Sequence, residues 1–305
     1  MRMRDALCGA LLVHLLAAQS PGGPTADALV PFVVVGAGHK PVTDLTAADF
    51  DAYVNGAAVP IASVAPRGPL SLAVLVDTTR STGWGGTRII NAPEDEVLAA
   101  LASLRDDDRI RFGSFGPRVR FKSGWKARKD RDLAGELGSA LDADARETHG
   151  PSPIWDAVYD TVAMLSAEPP PRAILLLSDG RATGNVRTLD LVADHAAVHG
   201  VVVHTIVRYF ETNIPQGEDA AVAIRPWVSL DRLTTFTGGT SAGFVAHEPL
   251  RGKALSEQLG WAMRDSYVMR VRLPADGALH GLDIRTRQPG LKILAPVAIF
   301  SPPAQ

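Results

Sequence analysis

Five residues in three short segments have the types and spacing to hold a hard divalent cation. Asp77-Thr78-Thr79-Arg80-Ser81 follows one apolar run and Ser178-Asp179-Gly180 follows another. Between them, Gly150-Pro151-Ser152-Pro153 precedes a helical segment that starts at Ile154. Asp77, Thr79, Ser81, Ser152 and Asp179 supply carboxylates and hydroxyls, all hard oxygen donors. Such a set suits one Mg²⁺ or Mn²⁺ ion, which takes about six oxygens and often keeps bound waters; Ca²⁺ uses the same donors. Two carboxylates buried close together repel each other, and a divalent cation removes that cost. The alternate spacing of Asp77, Thr79 and Ser81 would let an extended loop turn all three side chains toward one point. Ser152 also stands where a helix N-cap would.

These segments need a scaffold that brings them together. Leu70 to Val76 is a nearly unbroken apolar run, the pattern of a strand buried on both faces, and Ala173 to Leu177 and Val201 to Val207 repeat it. Helical stretches separate them, at Glu94 to Leu104, Arg131 to Leu141, Ile154 to Leu165, Leu189 to Val198 and near Leu230 to Thr235. Ile110 to Phe121 reads as a hairpin turning at Gly116-Pro117. The alternation predicts a doubly wound α/β fold with a mainly parallel sheet and helices on both faces. Ligands of such sheets bind at the carboxyl ends of the strands, where all three segments would lie.

The ends of the chain read as β-rich. Leu29 to Val35 is one strand, and Asp51 to Val64 reads as two strands around the hairpin dipeptide Asn55-Gly56. After a helix at Leu250 to Met263 come Tyr267 to Leu273, Leu282 to Thr286 and Leu291 to Ile299. Pairing of the two ends would build a small accessory β-unit at the base of the central domain. The expected division is residues 1–20 as a signal peptide, 21–68 as the N-terminal flank, 69–247 as the α/β domain and 248–305 as the C-terminal flank.

The strand ending in D-x-T-x-S, the hydroxyl before a helix and the L-S-D-G after a second strand resemble the metal-ion-dependent adhesion site of von Willebrand factor A domains. Val42 to Phe50, Val54-Asn55-Gly56, Tyr267 to Val271 and Gln288 to Lys292 are similar to the flanks of the related secreted bacterial family. The resemblance implies that Thr79, Ser81 and Ser152 ligate the ion directly, while Asp77 and Asp179 hold it directly or through waters. A sixth position would receive an Asp or Glu carboxylate from a protein partner. The usual loop of that family is D-x-S-G-S; Thr79 keeps the hydroxyl, but Arg80 replaces Gly and brings a cation near the ion. Trp84, between glycines just after this loop, is a candidate partner contact. Thr148 is a less well-spaced candidate for the role of Ser152. A metal-free scaffold of the same fold is the alternative.

Composition excludes several other classes. The net charge of −2 and the interrupted basic cluster Lys122 to Arg131 give no nucleic-acid footprint. Met1-Arg2-Met3-Arg4 followed by an apolar run, Ala6 to Ala18, resembles a secretory signal peptide with cleavage after Ala18 or Ser20; an uncleaved anchor is the alternative. The single cysteine, Cys8, lies inside that segment, so the mature chain would have no thiol. No later segment reaches transmembrane length, which predicts an extracytoplasmic product, periplasmic or secreted. His195 and His199 lie four apart on a helix, but Ala196 stands where a zinc protease needs Glu, so they read as ordinary helix residues. Phe112-Gly113-Ser114-Phe115-Gly116 lacks the first Gly of a serine-hydrolase elbow and sits in the hairpin. With no nucleophile–base pair to assemble, the chain reads as a binding protein and not an enzyme.

Overall fold

The computed structural model describes residues 24–82, 94–142, 150–209, 226–245 and 249–304. The signal-like segment, Trp84, Thr148 and nearly all of the Glu211 to Pro226 insertion lie outside the described residues.

The central sheet contains β5 (Ser71–Asp77), β6 (Arg109–Phe115), β7 (Val119–Phe121), β8 (Lys126–Ala127), β9 (Arg172–Ser178), β10 (Val201–Tyr209) and β11 (Ser241–Val245). Its order is β11-β10-β9-β5-β6-β7, with β8 also on β6. The β11, β10, β9, β5 and β6 neighbours run parallel, and β7 and β8 pair antiparallel with β6. Six helices complete the described domain: α1 (Glu94–Ala102), α2 (Leu133–Leu141), α3 (Ile154–Leu165), α4 (Leu189–Val198), α5 (Pro226–Phe236) and α6 (Pro249–Arg264). This is the doubly wound α/β arrangement the apolar runs imply.

Strand periodicity divides the core in two. Leu72, Val74, Val76, Leu175 and Leu177 face one layer with Leu101 of α1, Leu137 of α2 and Leu259 of α6. Ala73, Leu75, Ile174 and Leu176 face the other with Val158 of α3, Val192 of α4 and Leu233 of α5. Every residue of β5 is buried, as expected of a strand covered on both sides. At ~1.5–3 kcal/mol for each large aliphatic side chain, these layers dominate the stabilising side of folding.

The chain ends pair with each other. A sheet of order β14-β1-β12-β4 combines β1 (Thr25–Val35), β4 (Ile61–Pro66), β12 (Tyr267–Pro274) and β14 (Lys292–Leu294). A second, β15-β13-β2-β3, combines β2 (Phe50–Val54), β3 (Ala57–Val59), β13 (Leu279–Thr286) and β15 (Ala298–Phe300). Phe32, Phe50, Tyr267 and Met269 fill the space between them. This unit lies against the amino ends of the parallel strands, opposite their carboxyl ends. At the β2–β3 turn, Asn55 and Gly56 both have positive φ (49° and 80°), the backbone of the tight hairpin the dipeptide predicts.

Two strand assignments need correction. Asp51 to Val64 holds three strands instead of two, because Pro60 cannot continue the ladder and the chain crosses to the other sheet as β4. Leu291 to Ile299 is likewise two short strands in different sheets. The break falls at Pro296, where the chain is drawn to the end of α5 by Val297 N–H donating to Phe236 O at 3.0 Å.

The two units are fastened by a buried ion pair. Arg67 donates to both Asp108 carboxylate oxygens at 2.6 and 2.7 Å and to Met263 O at 2.7 Å. Asp108 also accepts from Leu70 N–H and Arg105 N–H, and Arg105 reaches Arg67 O and Arg264 O. Both charges therefore have the additional hydrogen bonds that burial demands.

Candidate metal centre

The strand order reverses at β5: the chain first adds β6 on one side and then returns to add β9 on the other. The crevice at that switch point receives Asp77 from the end of β5, Ser178 and Asp179 from the end of β9, and Ser152 from the approach to α3.

Asp77 is fully buried and stands at the centre of a hydroxyl cluster. Its Oδ1 accepts from Thr79 N–H at 3.0 Å and from the Thr79 hydroxyl at 2.7 Å. Its Oδ2 accepts from Ser152 Oγ at 2.8 Å and Ser178 Oγ at 2.7 Å. The Ser81 hydroxyl lies 3.2 Å from that of Thr79. The five residues assigned from the sequence thus meet at one place.

Asp179 is the other carboxylate. It is buried, and its Oδ1 accepts from Arg181 N–H at 3.0 Å. Its Oδ2 is buried with no hydrogen-bond partner among the described residues. Burial pushes the Asp77 carboxyl up to about 6 against the hydrogen bonds of Thr79 and Ser178, and the Asp179 charge adds to the rise. Burial also raises Asp179, opposed by Arg181 N–H, the nearby Ser81 hydroxyl and the Arg181 guanidinium.

An orphaned buried carboxylate oxygen beside a second raised carboxylate is the environment a divalent cation would relieve. The donors are all oxygen, which fits Mg²⁺ or Mn²⁺ and equally a Ca²⁺ ion. Among the described residues no group of three or more His, Cys, Asp or Glu forms a metal cluster, so any such site depends on its hydroxyls.

Two local expectations are corrected. The loop after Asp77 is not extended: Arg80–Thr82 forms a 3₁₀ turn, closed by Thr82 Oγ1 donating to Thr79 O at 2.7 Å. The turn brings Thr79 and Ser81 together where alternation alone would not. Ser152 is not the N-cap of α3; Pro153 holds that position without a side-chain cap. The Ser152 hydroxyl is committed to Asp77 instead, and Asn185 Oδ1 accepts from Trp155 N–H at 2.7 Å.

Sequence reasoning missed three groups that build the crevice. Ser178 stands in the quoted Ser-Asp-Gly string, but its inward-pointing hydroxyl depends on the β9 register. Thr183 exchanges bonds with Ser152, its Oγ1 accepting from Ser152 N–H and its N–H donating to Ser152 O. Arg181 places a cation beside Asp179. The side chain of Arg80, expected to supply a cation there, lies outside what is described.

The other candidates behave as ordinary structure. His195 stacks on Tyr159 with centroids 3.9 Å apart and meets His199 edge-on at 4.6 Å, and the Arg187 guanidinium lies over the Tyr159 ring. Burial lowers both histidines, which favours neutral packing. In the basic cluster, Lys122 donates to Ser139 O and Asp142 O, Arg128 pairs with Asp106 and Arg131 with Glu136.

No protein-family model matches the chain, and no curated protein matches it. Solved structures do. A von Willebrand factor type A protein from Catenulispora acidiphila is 11% identical with a TM-score of 0.47, the match covering 92% of this chain and 75% of that one. BatB from Bacteroides thetaiotaomicron is 14% identical with a TM-score of 0.44, over 64% of this chain and 99% of its own. The ArnB paralog VWA2 from Sulfolobus acidocaldarius is 12% identical with a TM-score of 0.40, over 92% and 76%. At these identities the likeness concerns overall architecture; the strand order and the distances above stand independently of it.

Proposed function

We propose that this chain, a von Willebrand factor A-type α/β protein, is an exported binding module that holds one divalent cation and captures a protein partner through it. Thr79, Ser81 and Ser152 would ligate the ion, and Asp77 and Asp179 would hold it directly or through waters. Mg²⁺ or Mn²⁺ fits the donor set, with Ca²⁺ as the other hard cation. When bound, the ion would supply an electrophilic point for an Asp or Glu carboxylate of the partner.

The observation that carries this reading is the Asp179 Oδ2, buried and without a hydrogen-bond partner among the described residues, beside the hydroxyls gathered on Asp77. A purely structural Asp would be expected to have its oxygens satisfied. No reaction is assigned. The buried serines Ser152 and Ser178 donate to the Asp77 carboxylate. Export rests on the signal-like residues 1–20; among the described residues no helix is long and apolar enough to cross a membrane.

A metal-free scaffold is the second reading, and one observation favours it. Asp77 already accepts from Thr79, Ser152 and Ser178, so its charge is partly compensated without an ion. Titration calorimetry with MgCl₂ and MnCl₂ separates the two. The module reading expects saturable binding of one ion per chain, lost in Asp179→Asn. The scaffold reading expects no saturable heat with either salt.

A further inference from the structure

The β2–β3 turn carries the only Asn-Gly dipeptide of the 305-residue sequence, Asn55-Gly56. Such a dipeptide is chemically labile, because glycine has no side chain to shield its amide nitrogen. The Gly56 nitrogen can attack Cγ, the carbonyl carbon of the Asn55 side chain. A C–N bond forms, the Cγ–Nδ2 bond breaks, and ammonia leaves with the proton of the Gly56 amide. One water molecule then opens the five-membered succinimide to aspartate or isoaspartate. No electrons are exchanged, and water is the one co-reactant.

The first step needs an Asn55 side chain free to fold back on its own backbone. In the folded chain both ends of that side chain are fastened to β13. Asn55 Oδ1 accepts from Gly281 N–H at 2.8 Å, and Asn55 Nδ2 lies 3.0 Å from His280 Nδ1. The Asn55 backbone N–H also donates, to Gly281 O at 2.9 Å. These bonds carry the β2–β13 ladder one residue past Val54, which pairs with Leu282.

Donor and acceptor roles follow from the partners. A backbone N–H only donates, so the amide oxygen faces Gly281 and the amide nitrogen faces His280. An amide nitrogen also only donates, so His280 Nδ1 accepts and the ring proton sits on Nε2. His280 Nε2–H then donates to Asp276 Oδ1 at 3.0 Å, and the same oxygen accepts from Ala278 N–H at 3.1 Å. The His280 ring is buried, whereas Asn55 and Gly56 are exposed. Water therefore reaches the turn, and the restraint on the reaction lies in the side-chain bonds.

We propose that Asn55-Gly56 is a deamidation site that His280 holds closed, by keeping the Asn55 amide on β13 and away from the Gly56 nitrogen. His280 acts as a positioning residue, itself oriented by Asp276. Either product damages the turn. Aspartate replaces the donor facing His280 Nδ1 with an acceptor, and isoaspartate adds a methylene to the backbone of a tight hairpin. The site is separate from the Asp77–Asp179 crevice and does not depend on its cation.

The reaction is read by peptide mapping with mass spectrometry after the full chain is incubated in mildly alkaline buffer. Conversion appears as the mass gain of amide to acid in the fragment that holds Asn55. The folded wild type should convert at least ~tenfold more slowly than the same chain in urea, because the side-chain bonds must break first. His280→Leu removes the acceptor and should convert at least ~tenfold faster than the folded wild type. His280→Gln also removes the ring but keeps an acceptor oxygen, so it should stay near the wild-type rate. Loosening caused by loss of the ring is common to both variants, and the difference between them isolates the acceptor. Slow hydrogen exchange of the Asn55 amide, bonded to Gly281 O, verifies that β2 and β13 remain paired in each protein. Equal wild-type rates in buffer and in urea would overturn the proposal, and that comparison needs neither variant. So would a His280→Leu rate no faster than wild type, or a His280→Gln rate equal to that of His280→Leu.

Discussion

At the scale of single residues, the crevice is a balance between carboxylate burial and hydroxyl supply. Asp77 accepts from Ser152 and Ser178 through one oxygen and from Thr79 through the other. Ser152→Ala removes one donor and leaves the remaining bonds to a buried carboxylate. It should cost ~1–3 kcal/mol of stability, measured by urea unfolding, and weaken any ion binding together with it. Ser178→Ala should cost a similar amount, although Ser178 was not among the ligands assigned from the sequence. The types and spacing of Asp77, Thr79, Ser81, Ser152 and Asp179 were sufficient to place those residues in one crevice. The sequence did not disclose which neighbour holds which oxygen, because Ser178 acts through strand register and Thr183 through contact with a loop about thirty residues away. The capping role expected of Ser152 went instead to Asn185, a residue that no local pattern connects to α3.

At the scale of elements, two close fits hold the helices and the accessory unit in place. α1 and α6 approach so closely that a Cβ on Gly260 would lie 2.3 Å from Ala100 O. Gly260→Ala should therefore separate the helices and cost ~1–3 kcal/mol despite adding one methyl group. At the seam between the units, Asp108→Asn would leave the buried Arg67 guanidinium without its countercharge. A loss of ~3–5 kcal/mol is expected in the same urea measurement. The helices and the parallel strands were legible as apolar runs of the right length. The short strands were not: β4 and β15 are set by which sheet the chain crosses to after Pro60 and Pro296, a tertiary choice that periodicity does not encode.

At the scale of the whole molecule, the parallel sheet carries the crevice at one end and the β-unit at the other, with His204 buried near their seam. His204 hydrogen-bonds with Thr240, and burial together with the Arg67 charge pushes it down to about 4. In the unfolded chain it would titrate near 6.5, so the stability from keeping it neutral is present above that value and lost as pH falls toward 4. The loss should reach ~3 kcal/mol, and His204→Gln should flatten the urea-unfolding profile in that window. The central claim, that the crevice binds a divalent cation, is tested most directly by thermal unfolding of the chain in EDTA and then in millimolar Mg²⁺ or Mn²⁺, with Asp77→Ala alongside. An ion at about 100 times its Kd adds ~2.7 kcal/mol to the folded state, a rise of several degrees for a domain of this size. The account predicts that rise in the wild type and none in Asp77→Ala; an unchanged wild-type melting temperature, or an equal rise in both proteins, would contradict it.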